Sequence, residues 1–368
     1  MGMMIEGQWI DDDAKYRADL SFLTKEQVFD GRSNLKGFPV ELRNLGTNGP
    51  SVSALGLGCM RMTPFVLKAG NFDEAEGIAT IHAALDAGIS LLNTADFYSM
   101  GLNETLVSKA LKGRRDQAFL SVKFGALRSS SGAFLGFDAR PNAIKNFCAY
   151  SLQRLGVDVI DLYEPARVDP GVPLEDTIGA VADLIQEGKV RHLGVSEYNA
   201  SQLRRAHAVH PVTALEIEYS LASRFIEGEI LPTARELGVG IVAYSVVTQG
   251  LLTGTFPSEL PAGDERLIFP RFQGENLKKN IAAVEGLRQI SQAKEATPAQ
   301  IAIAWVLAQG RDIVPIVGMS SRKRLPENLG ALEVNLSADD LNQLAALFHP
   351  SAIAGGRYPA ALEALAAS

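Results

Sequence analysis

Short apolar runs alternate with helical stretches along the chain from about residue 39 onwards. Eight such runs occur, and each is almost continuously apolar, as is typical of parallel strands that are covered on both faces. They span residues 54–58, 90–93, 118–122, 159–163, 190–195, 214–217, 241–244 and 313–317. Eight strands that alternate with helices predict an α/β fold, in which right-handed crossovers close the sheet into a (β/α)8 TIM barrel.

The segments between the runs carry helix signals. Residues 75–87 and 174–187 each place their apolar side chains on one stripe, and each stops at a glycine. The residues from Thr297 to Gln300 form a capping box with proline at the first helical position. Ser337 begins the last long helix, with an acidic residue at the box position.

The part of the chain before the first run has a different pattern. Residues 40–45 and 51–55 flank an Asn-Gly turn at Asn48, which predicts a hairpin that caps the bottom of the barrel. Residues 1–38 carry clustered acids and scattered aromatics without periodicity. We therefore expect two parts, an N-terminal arm of unknown role at 1–38 and the barrel at 39–368.

Composition narrows the class of protein. The chain has 368 residues, of which 46% are hydrophobic and 21% charged, as in a globular protein that buries a large core. A net charge of −7 without a basic stripe argues against binding to nucleic acid. Two cysteines are too few for a disulfide framework and fit a reducing cytoplasm. The absence of a membrane-length apolar stretch and of convergent metal ligands leaves a small molecule as the expected partner.

Three residues at neighbouring strand ends indicate chemistry, because the site of such a barrel lies where its strands end. Asp96 and Tyr98 follow the second run, and Lys123 directly follows the third run and ends the third strand. A carbonyl that accepts a hydride becomes an alkoxide and needs a proton, but a free tyrosine has a pKa near 10. We expect the ammonium group of Lys123 to lower the pKa of Tyr98. A shift of about two pKa units requires about 2.7 kcal/mol of interaction that favours the phenolate. We expect Asp96 to hold Lys123 in place and to keep it charged. The same spacing would also arise if Asp96 and Lys123 formed an ordinary ion pair beside a core tyrosine without a catalytic role.

Five stretches resemble the sequence signatures of the aldo-keto reductases, at residues 55–60, 93–104, 194–196, 216–220 and 250–254. The likeness covers about residues 39–345, with the motifs in the expected order. It implies reduction of an aldehyde or ketone by direct hydride transfer from NADPH, which binds in extended form without a Rossmann fold. It also implies that Tyr98 is the acid and that Lys123 and Asp96 tune it.

The resemblance also implies the residues that contact the cofactor. They are Gly58, Met60, Asp96, Ser196, Glu216, Tyr244, Ser245, Val246, Gly250, Leu251, Gly318, Ser320, Ser321, Arg324 and Asn328. Tyr244 would stack on the nicotinamide, and Ser196 would contact its carboxamide. The hydroxyls of Ser320 and Ser321 at a helix N-terminus and the guanidinium of Arg324 favour the 2′-phosphate of NADPH. Residues 254–280 form a long connection that either closes over the pyrophosphate or is a passive loop.

Two departures from the family pattern affect the expected substrate. Ala166 stands where the family places a histidine that orients the substrate carbonyl, and Glu216 stands where a glutamine usually binds the carboxamide. The loss of one such donor typically costs about 2.7–4 kcal/mol of transition-state stabilisation.

The loop 165–169, with residues 216–221 and 356–358, resembles the pyridoxal reductase branch and its bacterial relatives, which also lack the histidine. Pyridoxal carries a phenol and a ring nitrogen beside its aldehyde, so the substrate itself would polarise the carbonyl. Two alternatives remain. One is an enzyme for a bulkier ketone such as a sugar, steroid or fungal metabolite, and the other is an NADPH-binding partner subunit with little turnover.

Overall fold

The computed structural model describes residues 40–64, 72–363 and 366–367, together with the backbone of two short antiparallel strands, Met3–Ile5 and Gln8–Ile10. The rest of the expected arm at 1–38 lies outside the described residues. The division into an arm and a barrel therefore stays a prediction.

Eight parallel strands close into a barrel in which each strand pairs with its neighbours in the chain and the last pairs with the first. They are β1 (Gly56–Gly58), β2 (Leu91–Ala95), β3 (Phe119–Phe124), β4 (Ile160–Pro165), β5 (Val190–Ser196), β6 (Val212–Glu218), β7 (Gly240–Tyr244) and β8 (Ile313–Gly318). The predicted TIM barrel is confirmed. Several strands run further than the apolar runs because polar side chains occupy their C-terminal ends.

Helices pack around the barrel. They are α1 (Glu74–Asp86), α2 (Leu102–Leu111), α3 (Pro141–Leu155), α4 (Leu174–Gln186), α5 (Ala200–Val209), α6 (Ile230–Leu237), α7 (Gly274–Ala293), α8 (Pro298–Ala308), α9 (Leu325–Gly330), α10 (Ala338–Leu347) and α11 (Ala360–Glu363). The capping boxes at Thr297 and Ser337 are both present. No helix in the described ranges is long and apolar enough to cross a membrane.

A hairpin closes the N-terminal end of the barrel, as predicted. Its strands are Leu42–Asn44 and Ser51–Ser53, and the adjoining Leu45 and the strand residue Val52 are buried in one apolar cluster with inward residues of the barrel strands. The left-handed residue of the turn is Gly46, with φ of 77°, and not the Asn-Gly pair. A Cβ at Gly46 would lie 2.2 Å from a backbone oxygen of the α6–β7 junction, so the close approach requires glycine there.

The barrel interior changes from apolar to polar along its axis. Side chains two residues apart on a strand point the same way, so the apolar Leu91, Leu162 and Ala214 at the closed end are followed by Asn93, Glu164 and Glu216 at the open end. A second hairpin, Ala126–Arg128 with Phe134–Phe137, follows β3. The open end is therefore the end at which side chains with chemical function converge.

Candidate active site

Lys123 lies in the polar half of the barrel interior, enclosed by Glu216 and Asn93. Its Nζ is 2.9 Å from Oε1 of Glu216 and donates a hydrogen bond of 2.7 Å to Oδ1 of Asn93. Asn93 Nδ2 donates in turn to Oε2 of Glu216 at 2.6 Å, so the three side chains close a triangle. All three are buried. Although burial opposes the charge, Glu216 and Tyr98 raise the pKa of Lys123, which stays an ammonium ion.

Tyr98 lies beside this triangle, with the centre of its ring 5.2 Å from Nζ of Lys123. It begins a short turn directly after β2, and Phe97 meets its ring edge-on at 5.1 Å. Asn103, at the start of α2, accepts a hydrogen bond of 2.7 Å from Thr94 and so fixes the helix against the strand. The turn that carries Tyr98 is thus held at both ends.

The pKa of Tyr98 is raised above its usual value, and the expected lowering is wrong. Burial is the main cause, and attraction to the ammonium group of Lys123 offsets only part of it. The carboxylate of Glu216 acts against Lys123 because it neutralises the positive charge that would stabilise a phenolate. Tyr98 therefore keeps its proton at neutral pH.

Asp96 does not contact the ammonium group of Lys123, so the expected ion pair between them is wrong. Its Oδ2 accepts a hydrogen bond of 3.4 Å from the N–H of Gly125, and its Oδ1 has no partner among the described residues. Asn93 points into the barrel. Inward and outward positions alternate along a strand, so Asp96, three residues later, faces the helix layer. Burial, with a contribution from Glu104, raises the pKa of Asp96 to about 8.

A second carboxyl group, that of Glu164, lies next to the triangle. Ser121 Oγ donates to Oε1 of Glu164 at 3.1 Å and accepts from Asn93 Nδ2 at 2.9 Å. Burial and the nearby Glu216 carboxylate raise the pKa of Glu164 well above its usual range. The polar half of the barrel therefore brings the ammonium group of Lys123 together with the carboxyl groups of Glu216 and Glu164.

The mouth of the barrel is lined by residues from β5, β7 and the C-terminal segment. Tyr244 donates to Glu197 at 2.8 Å, and its hydroxyl is 2.5 Å from that of Tyr358. Arg357 forms two hydrogen bonds to Glu197, of 3.1 and 3.0 Å. Burial opposes the charge of Glu197, but Arg167 and Arg357 hold its pKa below the usual value.

Ala166 directly follows β4 and provides a buried methyl group at the position where the family pattern has a histidine. Its neighbour Arg167 reaches into the mouth, where the guanidinium donates to the hydroxyl of Tyr358 at 3.2 Å. The charge of Arg167 also lowers the pKa of Tyr98 in part. A fixed cation therefore lies close to Tyr98, on a side chain adjacent to the alanine.

The expected contacts of the nicotinamide lie at strand ends around this mouth. Ser196 ends β5, and its buried hydroxyl has no hydrogen-bond partner in the described part of the chain. A buried oxygen without a partner suits a polar group of a ligand, such as a carboxamide. Both oxygens of Glu216 are bonded within the triangle, which reduces their capacity for such a ligand. Gly58 ends β1, and Met60 begins the turn that follows.

The segment after β7 provides backbone in unusual conformations. Ser245 has φ of 58° and Gly250 has φ of 96°. The side chains of Val246 and Leu251 are buried in the core, so these two residues offer a ligand their backbone groups rather than their side chains.

The expected phosphate contacts lie after β8. Ser321 caps a single helical turn, Arg322–Arg324, and its hydroxyl accepts from the N–H of Lys323 at 3.3 Å. The first arginine of this turn is paired with Glu76 at 2.8 Å. The other expected contacts are nearby, with Gly318, Ser320 and Arg324 exposed and Asn328 buried in α9.

The connection at residues 254–280 crosses the C-terminal end of β8. Arg61, which follows β1, forms an ion pair of 2.6 Å with Glu265 of this connection. In the barrel β8 lies between β7 and β1, so the connection spans the groove expected for the pyrophosphate. Of the two expected roles, this arrangement favours closure over a passive loop.

Sequence reasoning missed Asn93, Glu197 and the contacts that join Glu164 to Glu216 through Ser121 and Asn93. Strand parity is the signal that would have found Asn93, because it lies two residues after the inward Leu91. Glu197 has no comparable local signal, because its partner Arg357 lies 160 residues away. Among the described residues, no group of three or more histidine, cysteine or acidic side chains could hold a metal ion.

Comparisons with known proteins agree with this geometry. The sequence profile described as the Aldo/keto reductase family matches residues 54–348. A probable aldo-keto reductase 1 from Glycine max is 43% identical over 316 residues, or 85% of this chain and 90% of the relative.

Solved structures show the same likeness. A glycerol dehydrogenase from Gluconobacter oxydans has a TM-score of 0.77 at 28% identity, over 85% of this chain and 97% of that one. An aldo-keto reductase from Bacillus halodurans in its holo form has a TM-score of 0.71 at 30% identity, over 84% and 97%. Because the profile spans most of the barrel and the relatives match over nearly their whole length, the chain belongs to the aldo/keto reductase family of oxidoreductases.

Proposed function

We propose that the protein reduces an aldehyde or ketone to an alcohol with NADPH, and that Tyr98 donates the proton to the carbonyl oxygen. The observation that supports this most directly is the placement of Tyr98 at the mouth, 5.2 Å from a buried ammonium group. The raised pKa keeps the phenol protonated until an alkoxide, a stronger base than a phenolate, develops beside it. Lys123 then stabilises the phenolate that remains.

The experiment is turnover with the variant Tyr98→Phe, which removes the phenolic proton. We expect kcat to fall by about 10²–10⁴, the usual contribution of a general acid. The matched control is Tyr163→Phe, because Tyr163 is a buried core tyrosine whose hydroxyl has no partner in the described structure. Full turnover in Tyr98→Phe would remove this residue from the mechanism. Loss of turnover in both variants would point to a folding defect.

NADPH would supply the hydride, and this chain offers residues that fit it. The unpartnered hydroxyl of Ser196 suits the carboxamide, and Tyr244 lies at the mouth to contact the ring. Ser320, Ser321 and Arg324 would receive the 2′-phosphate, which distinguishes NADPH from NADH. Fluorescence titration with both cofactors tests the preference, and Arg324→Ala should weaken NADPH binding more than NADH binding. Equal affinity of the parent protein for both would contradict it.

The substrate we favour is a pyridoxal-like aldehyde with a hydroxyl group next to the carbonyl. Ala166 offers no hydrogen bond to a carbonyl, so an internal phenol would polarise the carbonyl in its place. The guanidinium of Arg167 at the mouth would donate a hydrogen bond to the oxygen of this phenol, whose own hydrogen points to the carbonyl. The resemblance of loop 165–169 to the pyridoxal reductase branch supports the same class.

A matched pair of substrates tests this preference. Salicylaldehyde and 2-methoxybenzaldehyde differ in one methyl group on the oxygen next to the aldehyde. We expect kcat/KM to be at least about tenfold higher for salicylaldehyde, since one hydrogen bond to a charged group contributes about 1.5–3 kcal/mol. Equal values would favour the alternative of a bulkier ketone. Absence of turnover with every carbonyl would favour an NADPH-binding partner subunit.

A further inference from the structure

Glu164 occupies a slot that two features of β5 create. The pairing register between β5 and β6 shifts between Leu193 and Gly194. A Cβ on Gly194 would lie 2.6 Å from Cγ of Glu164 and 2.9 Å from its Oε1. The glycine therefore leaves the space in which a fully buried carboxyl group lies against the interior of the barrel.

The hydrogens of Asn93 and Ser121 beside this slot are all engaged in hydrogen bonds. Asn93 gives one amide hydrogen to Glu216 and the other to Ser121. The hydroxyl hydrogen of Ser121 then goes to Oε1 of Glu164. Oε2 of Glu164 is left without a donor among the described residues. A protonated carboxyl resolves this, because its O–H donates rather than accepts.

The charges around the slot lead to the same protonation state. Lys123 on β3 and Glu216 on β6 are the charged groups that face Glu164, and β5 contributes the uncharged Gly194. One ammonium group at short range cannot stabilise two carboxylates in a low-dielectric interior. Burial and Glu216 raise the pKa of Glu164 well above its usual range.

We propose that Glu164 holds a proton next to the Glu216 carboxylate, and that the loss of this proton at alkaline pH switches off the acid function of Tyr98. In this role Glu164 is a positioning residue, since it acts through Lys123 and Glu216. The proposal rests on the proposed function of Tyr98.

The switch works through the charge that Tyr98 experiences. With Glu164 neutral, the ammonium group of Lys123 faces one carboxylate. When Glu164 gives its proton to solvent, the same ammonium group faces two carboxylates. The phenolate that Tyr98 becomes on donating its proton is then less stable, so proton transfer slows. A decline in rate at alkaline pH is therefore set by Glu164 before Tyr98 itself ionises.

The test compares Glu164→Gln, which cannot ionise, with Glu164→Asp, which can. We expect the alkaline decline of kcat/KM to move upward by at least about one pH unit in Glu164→Gln and to persist in Glu164→Asp. Ser121→Ala removes a donor that favours the charged form of Glu164, so it should move the decline upward by a smaller amount. An identical alkaline decline in the parent and Glu164→Gln would overturn the proposal.

A direct titration of Tyr98 needs no turnover. The tyrosinate absorbance of the parent minus that of Tyr98→Phe gives the ionisation of Tyr98 alone. The same difference is taken between Glu164→Gln and the double variant that also carries Tyr98→Phe. We expect the pKa of Tyr98 to be lower in Glu164→Gln than in the parent, and an unchanged pKa would contradict the proposal. Full turnover in Tyr98→Phe would instead refute the proposed function, whereas loss of turnover in Tyr98→Phe with unchanged profiles in Glu164→Gln refutes only the switch.

Discussion

Glu216 and Lys123 form a buried ion pair, with 2.9 Å between Oε1 and Nζ, and their side chains are only 4% and 6% exposed. The pair joins β6 to β3 across the barrel interior. Breaking a buried pair by removing one partner usually costs about 3–5 kcal/mol, because a charge is left without compensation. Here Glu164 lies within reach as a substitute for the lost carboxylate.

The ion pair predicts an unusual response to substitution. In Glu216→Gln we expect Glu164 to release its proton and pair with Lys123, so the loss of unfolding free energy should be less than about 3 kcal/mol. In the double variant with Glu164→Gln no carboxylate remains, and the loss should exceed the sum of the two single losses. Urea unfolding of all four proteins measures this coupling.

An exposed pair of the same length provides the control. Lys145 Nζ is 2.9 Å from Asp183, with side chains 39% and 55% exposed. We expect Asp183→Asn to change the unfolding free energy by less than about 1 kcal/mol. If the loss of unfolding free energy in the Glu216→Gln, Glu164→Gln double variant equals the sum of the two single losses, the two carboxyl groups do not substitute for each other.

The raised pKa of Asp96 makes stability depend on pH in a defined direction. Its pKa is about 8 in the folded protein and about 3.9 in an unfolded chain. Between these values the folded state binds more protons, so this group lowers stability as pH rises. Asp96→Asn should therefore be more stable than the parent near pH 8 and lose this advantage near pH 4. Urea unfolding at the two pH values checks this, and a pH-independent difference would contradict it.

The ion pair between Arg61 and Glu265 is expected to slow the release of the cofactor. It is exposed, so its contribution should be modest and should decrease with salt. We expect Arg61→Ala to speed NADPH dissociation about two- to fivefold in stopped-flow fluorescence. Lys278→Ala is the control, because it removes an exposed pair within α7, with Glu275. Equal rates in the parent and Arg61→Ala would show that the connection does not retain the cofactor.

Arg167 is expected to discriminate between substrates. Arg167→Ala should reduce the preference for salicylaldehyde over 2-methoxybenzaldehyde by about tenfold and leave turnover of the methoxy compound less affected. Arg191→Ala is a suitable control, since this arginine pairs with Asp161 away from the mouth. A preference that survives in Arg167→Ala would assign the discrimination to another group.

Much of the fold could be predicted because it depends on periodicity. Apolar runs located all eight strands, and glycine and capping signals located helices such as α1 and α8. Several strand ends were placed too early because Glu164, Ser196 and Glu218 are polar, although they continue their strands. Local sequence shows the polarity of a residue, whereas its burial depends on the strands around it.

The site was predicted less completely, for physical reasons. Tyr98 and Lys123 lie near one another in sequence and were found together. Glu216 is 123 residues from Asn93 and pairs with it only because the barrel closes. Asp96 was assigned to Lys123 by its spacing along the chain, and strand parity turns it the other way.

The hairpin at the closed end affects how protons from bulk water can reach Tyr98. Leu45 and Val52 seal that end with apolar side chains, which neither accept nor pass on a proton. Among the described residues, the polar chamber is therefore closed at the hairpin end, and a bound substrate would lie at its other end, at the mouth. Protons given up by Tyr98 would be replaced from bulk water only after the product has left. Each turnover would thus draw on protons already stored within the chamber.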